Sequence, residues 1–270
     1  MDYSFIHINE VRDDLGETGS DSTWLDFVKA ATLAVEVEMR GSFVPFTETR
    51  RFDGPGGKML ITPDLLSSAP TIISDSTTLT TADYLLYPRQ RRWANGPFER
   101  IEIDPDATGL TAWGTDRNDI SVAGKWGWLD ETEAISGATV QNATSQDATT
   151  TTLTVETGKI RVGHLVLIES ELEFVTAVTI GATDTCTVVR GVLGTTAAVH
   201  LNGVAIRRQV VPPLIHWITK SVAASLWKRA KSGYTGKTVV PELGQINLFD
   251  VLPKELLKSA KMQYHLQVSV

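Results

Sequence analysis

A few residues in this chain are of types and spacings that could do chemistry. Glu169, Glu171 and Glu173 alternate with Ser170 and Leu172. Carboxylates so spaced can share acid–base work or collect a divalent cation. At a strand–turn–strand junction the ordinary fate of such a run is a solvated acidic turn, and that is the expectation here. The histidines, His7, His164, His200, His216 and His265, are scattered, and none stands at metal-ligand spacing from another His, Cys or acidic residue. His216 reads as a helix-surface or interface histidine. Gly54-Pro55-Gly56-Gly57 before Lys58 looks superficially like a phosphate loop. It lacks the Gly-Lys-Ser/Thr ending and runs into a strand, so a hairpin turn is expected. Arg89, Arg91 and Arg92 beside Trp93 form a loop able to touch phosphates or stack on bases. The acidic balance of the chain favours a subunit or partner contact for it instead. No Gly-x-Ser-x-Gly elbow occurs. The sum predicts no catalytic residues, no metal and no cofactor, and a protein that is not an enzyme.

Bulk properties narrow the field. A chain of 270 residues can bury one large core or two modest ones. The net charge of -7 argues against a general nucleic-acid binder. Cys186 is the single cysteine, so no internal disulfide can form, and it reads as a small apolar strand residue. The start, Met1-Asp2-Tyr3-Ser4-Phe5, lacks the basic and apolar regions of a signal peptide, and no stretch is apolar enough to cross a bilayer. Assembly in a cytosol, with no membrane partner, is expected.

The elements that would position these residues fall in blocks. A short helix is predicted from Ile8 to Leu15, ended by Gly16. A longer one runs from about Thr23 to Arg40, with Trp24, Phe27, Val28, Ala31, Val35 and Met39 on one face. Short strands follow, around Phe46–Phe52, Lys58–Thr62, Leu65–Ser74, Tyr84–Tyr87, Phe98–Ile103 and Asp119–Trp128. Ser136 to Thr150 reads as a polar linker. Thr149–Val155, Leu165–Glu169, Glu173–Thr179 and Thr185–Arg190 read as strands of a compact β-unit turned by Gly158, Gly163, Gly181 and Gly191. Pro212-Pro213 opens a second long helix to about Lys231. Pro253–Lys261 suits a short helix, and Tyr264–Val270 alternates as a terminal strand. The fold class expected is α+β. A small helix-plus-sheet core (1–130 and 210–232) with long helices is interrupted by an all-β insert (131–209) and followed by an extended tail (233–270).

The order of pieces carries a resemblance. The short and long N-terminal helices precede Arg50-Arg51-Phe52-Asp53-Gly54, Leu60-Ile61-Thr62-Pro63-Asp64-Leu65 and Ile101-Glu102-Ile103. Ile120-Ser121-Val122-Ala123-Gly124-Lys125-Trp126-Gly127-Trp128 comes next, and then Pro212 opens a helix. Over about 3–128 and 210–232 this resembles the head–tail connector (adaptor) proteins of tailed bacteriophages. Typical members pass from the Trp-Gly-Trp strand to the helix within a few residues; here some eighty intervene. Within that insert, the segments 163–168, 173–178 and 189–198 with His200 resemble a β-module recurring in phage structural proteins. The resemblance implies a structural virion protein at the head–tail interface. It would form a homo-oligomeric ring, usually a dodecamer, under the portal protein and offer a platform to a tail-completion or stopper protein. DNA would pass through without sequence-specific binding. A tail segment with unpaired strand edges suits a docking role. Phe249, Leu252, Leu256, Tyr264, Leu266 and Val268 are therefore expected to contact the portal or a neighbour. Two other readings compete. One is a different phage tail or neck protein whose β-insert is a surface-binding module, against which only Phe174 is aromatic between Ala138 and Arg208. The other is a hydrolase using Glu169, Glu171 or Asp184.

Overall fold

The structure is a computed structural model. It describes residues 2–90, 95–107, 109–233, 237–240, 244–247 and 253–264, the side chains of 237–240 and 244–247 excepted. Helices α1 (Ile8–Leu15) and α2 (Asp21–Met39) come first. Seven strands follow: β1 (Phe46–Phe52), β2 (Met59–Leu65), β3 (Thr71–Ser74), β4 (Thr77–Leu79), β5 (Tyr84–Tyr87), β6 (Phe98–Ile103) and β7 (Ile120–Trp126). The next eight are β8 (Thr132–Thr139), β9 (Ser145–Gln146), β10 (Thr152–Glu156), β11 (Leu165–Ile168), β12 (Glu171–Thr179), β13 (Thr183–Val189), β14 (His200–Leu201) and β15 (Ala205–Gln209). Helix α3 (Pro213–Lys231), the hairpin β16 (Lys237–Val240) and β17 (Gly244–Asn247), and helix α4 (Lys254–Tyr264) complete the order.

Two compact units divide the chain: one joins the residues up to Arg40 to the stretch from Thr132, and the other is Gly41–Glu131. In the first, a six-stranded antiparallel sheet runs β10-β13-β12-β11-β15-β8. Alternation on β10 and β13 sends Leu153, Val155, Cys186 and Val188 inward, where they meet Val166, Ile168, Val175 and Ile206. Helix starts and stops follow their local chemistry. The Ser20 hydroxyl caps α2 by accepting from the Thr23 amide at 3.4 Å. Gly16 ends α1 in the left-handed conformation (φ 61°), where a side chain would be strained. Proline stands at the first turn of α3, and Lys228, Arg229 and Lys231 favour its last turn. Helices α2 and α3 meet through Trp24 and Trp227, stacked with centroids 4.1 Å apart. The buried stripe of α2 comprises Trp24, Leu25, Val28, Ala31 and Val35. Helix α4 adds Leu257, Ala260 and Tyr264 as buried residues, and Lys261 pairs with Glu38 of α2.

The second unit is a seven-stranded sheet in the order β4-β3-β7-β2-β6-β5, with β1 also paired along β7. Its core gathers Leu65, Ile72, Ile101, Ile120, Val122 and Trp126. The guanidinium of Arg50 lies 4.2 Å from the Trp126 ring. The expected hairpin at Gly54–Gly57 does not form, because β1 pairs with β7 and β2 with β6. The turn instead binds a distant segment, Gly54 N–H donating to Asp116 O (2.9 Å) and Gly56 N–H to Gly114 O (2.9 Å). A Cβ on Gly54 would stand 2.2 Å from that Gly114 oxygen, so the approach requires glycine.

The fold is mostly β, which corrects the α+β expectation of a connector core with long helices. The described residues form several antiparallel sheets and four helices, none longer than 19 residues. Sequence reading underweighted the strands because many expose most of their side chains. In β8 only Ala138 is buried, so its hydrophobic alternation is absent and it reads as linker. The helices also belong to the unit of the eight later strands rather than to that of the first seven. The expected terminal strand from Tyr264 begins on a helix, since Tyr264 closes α4; its remainder lies outside the described residues. No helix among the described residues is long and apolar enough to cross a membrane.

Candidate functional site

Two polar centres lie in the unit that carries the helices. The first grows from the β11–β12 hairpin. Ile168 pairs with Glu171 across a two-residue turn in which Glu169 adopts a left-handed φ of 54°. Glu171 and Glu173 then lie on the same face of β12, and both are completely buried. This corrects the expectation of a solvated acidic turn, which holds for Glu169 alone. Phe174 pairs with Val189, which brings Arg190, just past the end of β13, beside the two carboxylates. Arg190 donates to Glu171 from Nε (2.7 Å) and Nη2 (2.7 Å). It donates further to the carbonyls of Asp147 (2.7 Å), Thr150 (2.9 Å) and Ala198 (2.6 Å). Glu171 also accepts from the amides of Gly191 (2.9 Å) and Ala198 (2.8 Å). His200, at the start of β14, sets Nε2 2.9 Å from Glu171 and Nδ1 2.8 Å from Glu169.

The electrostatics of the two buried carboxylates diverge. Burial pushes Glu171 up, but its bonds from Arg190, Ala198, His200 and Gly191 outweigh it and hold the carboxyl below its ordinary value. Burial dominates at Glu173 and raises it to about 7, against the pull of Gln146 and Arg190. The Gln146 amide donates to its Oε2 at 3.1 Å. Arg190 Nε lies only 2.8 Å from Oε1, yet its single hydrogen is aimed at Glu171, and Oε1 has no hydrogen-bond partner. Ligand atoms of Glu171, Glu173 and His200 come within 4.8 Å of one another, a spacing that would suit a divalent cation. A guanidinium already supplies the positive charge there and takes both oxygens of Glu171, while Glu173 Oε1 is left without a donor. The arrangement is an internal lock that ties β9, β12, β14 and the end of β13 together.

The second centre is a corner where α1, α3 and the sheet meet. Ile8 N–H donates to Val162 O (3.0 Å), fastening the start of α1 to the loop before β11. Gly163, at φ +96°, allows this approach, since a Cβ there would sit 3.0 Å from His7 Cα and 3.1 Å from Ile6 O. Glu10 lies 2.6 Å from His216 Nε2 of α3 and 3.3 Å from His7 Nε2. The rings of His7 and His164 meet edge to face, centroids 4.8 Å apart. Arg161 N–H donates to His164 Nδ1 (3.2 Å), so the ring's proton sits on Nε2. That tautomer removes His164 Nε2 as a metal ligand. A cavity of about 90 Å³ opens here, lined among others by His7, Glu10, His164, Arg208, Gln209 and His216. His164 Nε2, His7 Nδ1 and both side-chain polar atoms of Gln209 are buried without a protein partner. Burial lowers His164 to about 3, helped by His7, Arg208 and Arg161, and it lowers His7 as well.

No protein-family model, curated protein or solved structure matches the chain.

The candidates read from sequence fare unevenly. Leu256 is half-buried and Tyr264 buried, both on α4. Phe249, Leu252, Leu266 and Val268 lie outside the described residues, as do Arg91, Arg92 and Trp93. Arg89 is exposed with its guanidinium 5.7 Å from the Tyr87 ring. Asp184 is buried and spent on Thr157 Oγ1 (2.7 Å) and the Gly158 amide (2.7 Å). Sequence reasoning missed Arg190, His200 and the meeting of His7, His164 and His216. A usable signal existed for the lock: charged residues set inside apolar strands must find opposite charges within the same core.

Proposed function

We propose that this chain is a structural assembly subunit of a tailed-virus neck, a head–tail connector that packs against copies of itself and docks on a portal protein. The observation that carries the reading is the outer face of α2. Ala30, Leu33 and Val37 are exposed at helical spacing, Leu33 at 49% and Val37 at 69%, while the opposite face is core. A helix that keeps an apolar strip in water is suited to a neighbouring subunit. The resemblance of the segments around Asp53-Gly54 and Trp126-Gly127-Trp128 supports this kind of assembly. The internal lock at Glu171 is in keeping with a part that bears load rather than turns over a substrate. A stopper or tail-completion protein would be the next partner, with DNA passing unread and no membrane involved.

The test is mass photometry of the full chain, alone and mixed with the portal protein of the same virus. Discrete rings or portal complexes are expected, and the pair Leu33→Asp with Val37→Asp should abolish them while leaving the circular dichroism spectrum unchanged. No association across a range of salt, or assembly indifferent to the double substitution, would overturn the proposal. A second reading, with β8–β15 as a surface-binding module, draws on Val199 and Leu201, which flank His200 and are both exposed.

A further inference from the structure

We infer that the histidine corner is an acid-sensitive latch: the N-terminal segment and α1 stay docked on the sheet while His7 and His164 are neutral, and their protonation releases them. The geometry makes the latch two-sided. On one side stand the Ile8–Val162 backbone bond and the close seat of His7 Cα over Gly163. On the other, Glu10 of α1 reaches His216 of α3. His164 is wedged beneath, against the His7 ring.

The charges facing the two rings decide the direction. Arg161 from the preceding loop and Arg208 of β15 are positive neighbours of both; His7 opposes charge on His164, and His216 opposes it on His7. Glu10 is the favourable partner of both, one oxygen 3.3 Å from His7 Nε2 and the other engaged with His216, but burial and the cations outweigh it at each ring. Glu133 of β8 also lines the cavity and is paired with Arg208 at 2.8 Å. A proton on His164 therefore enters a site with two guanidiniums nearby and a second imidazole in ring contact. Its Nε2 hydrogen already lacks a protein acceptor. Undocking α1 relieves this by opening the ring to solvent. It also uncovers Phe5, Ile6, Ile8 and Val11, all buried when docked, so acid would turn a covered apolar segment into an available one.

The sign follows from linkage. A histidine held at about 3 when docked and near 6.5 when released favours release as pH falls below about 6.5. For His164 alone, the released fraction should rise roughly 25-fold between pH 7 and pH 5.

The test is hydrogen exchange of the full chain by NMR, corrected for intrinsic rates, with the Ile8 amide as reporter of docking. The Val188 amide, which donates to Thr151 O at 2.8 Å inside the sheet, is the control. Ile8 protection should fall roughly 25-fold from pH 7 to pH 5 while Val188 holds, and His164→Gln should remove the fall. Unchanged Ile8 protection in the unsubstituted chain would overturn the latch, as would an equal fall in Val188 or in the His164→Gln chain. Should that variant fail to fold, the His164 ring resonances of the unsubstituted chain decide. They must titrate in step with the loss of Ile8 protection, and titration with Ile8 still protected overturns the idea.

Discussion

Replacing Arg190 by methionine tests the internal lock most directly. The side chain is only 7% exposed and stands against two carboxylates with no exposure at all. Removing it takes two of the five donors from Glu171 and the nearest cation from Glu173. It also strips a donor from the carbonyls of Asp147, Thr150 and Ala198. Breaking a buried ion pair from one side costs about 3–5 kcal/mol, because the remaining charge stays buried. Carbonyls close enough to the surface to recruit water add about 1 kcal/mol in all. A loss of about 4–6 kcal/mol is a large part of the 5–15 kcal/mol that holds a domain together. In a unit of this size it should lower the calorimetric midpoint by about 10–20 °C. Arg190→Lys keeps the charge but cannot serve two carboxylates and three carbonyls at once, so it should fall between. Acid separates this cause from lost packing: protonating Glu173 and then Glu171 removes the stranded charge, so the deficit of the methionine variant should shrink by at least half at pH 4.5. A deficit below about 1 kcal/mol at pH 7, or one that does not change with pH, would refute the reasoning.

Two further outcomes are expected. Glu173 is held near 7 when folded and titrates near 4.5 when unfolded, so its contribution is fully present below about pH 4.5 and is lost as pH rises through 7. Urea titrations should therefore find Glu173→Gln gaining about 2–3 kcal/mol on the unsubstituted chain between pH 5 and pH 8; parallel pH profiles would place the proton elsewhere. Trp227 stacks on the fully buried Trp24 and meets Phe27 edge on, centroids 5.4 Å apart. Trp227→Ala should cost about 2 kcal/mol, read in urea melts together with loss of the near-ultraviolet dichroism of the tryptophan pair.

Helix ends were legible because their chemistry is local. Gly16 at a left-handed position and Pro213 in the first turn of α3 each act within four residues of the backbone groups they serve, whereas α2, expected from about Thr23, starts at Asp21 behind the Ser20 cap. The second unit's strands were legible where Pro, Gly and Asp punctuate apolar runs. The allegiance of the helices was not legible. It rests on contacts such as Ile8 with Val162, Lys29 over Phe174 and Trp24 on Trp227, which no local pattern records. The same holds for the histidine corner, since nothing in the spacing of His7, His164 and His216 announces that Glu10 will stand between two of them.

The buried lock is a middle case, and it shows how such a site can be read. Glu169, Glu171 and Glu173 were visible, and the period of two that puts them on one face was visible too. The run is not uniform, because the turn at Glu169 divides an exposed carboxylate from two buried ones. The neighbours of Glu173 are Leu172, Phe174 and Val175, all buried. A carboxylate in such company is either neutral or paired. Arg190, just past the strand that buries Cys186 and Val188, is the nearest cation that antiparallel pairing could deliver. His200 then follows from the short excursion after Gly191 that returns to pair with Gln146. Opposite charges at the ends of adjacent apolar strands therefore predict a partnership before any distance is known. Both polar centres sit where segments far apart in sequence must meet in one register. A misregistered pairing would leave Glu171, Glu173 or His164 buried against the wrong neighbour, and that penalty is what makes each centre specify the fold.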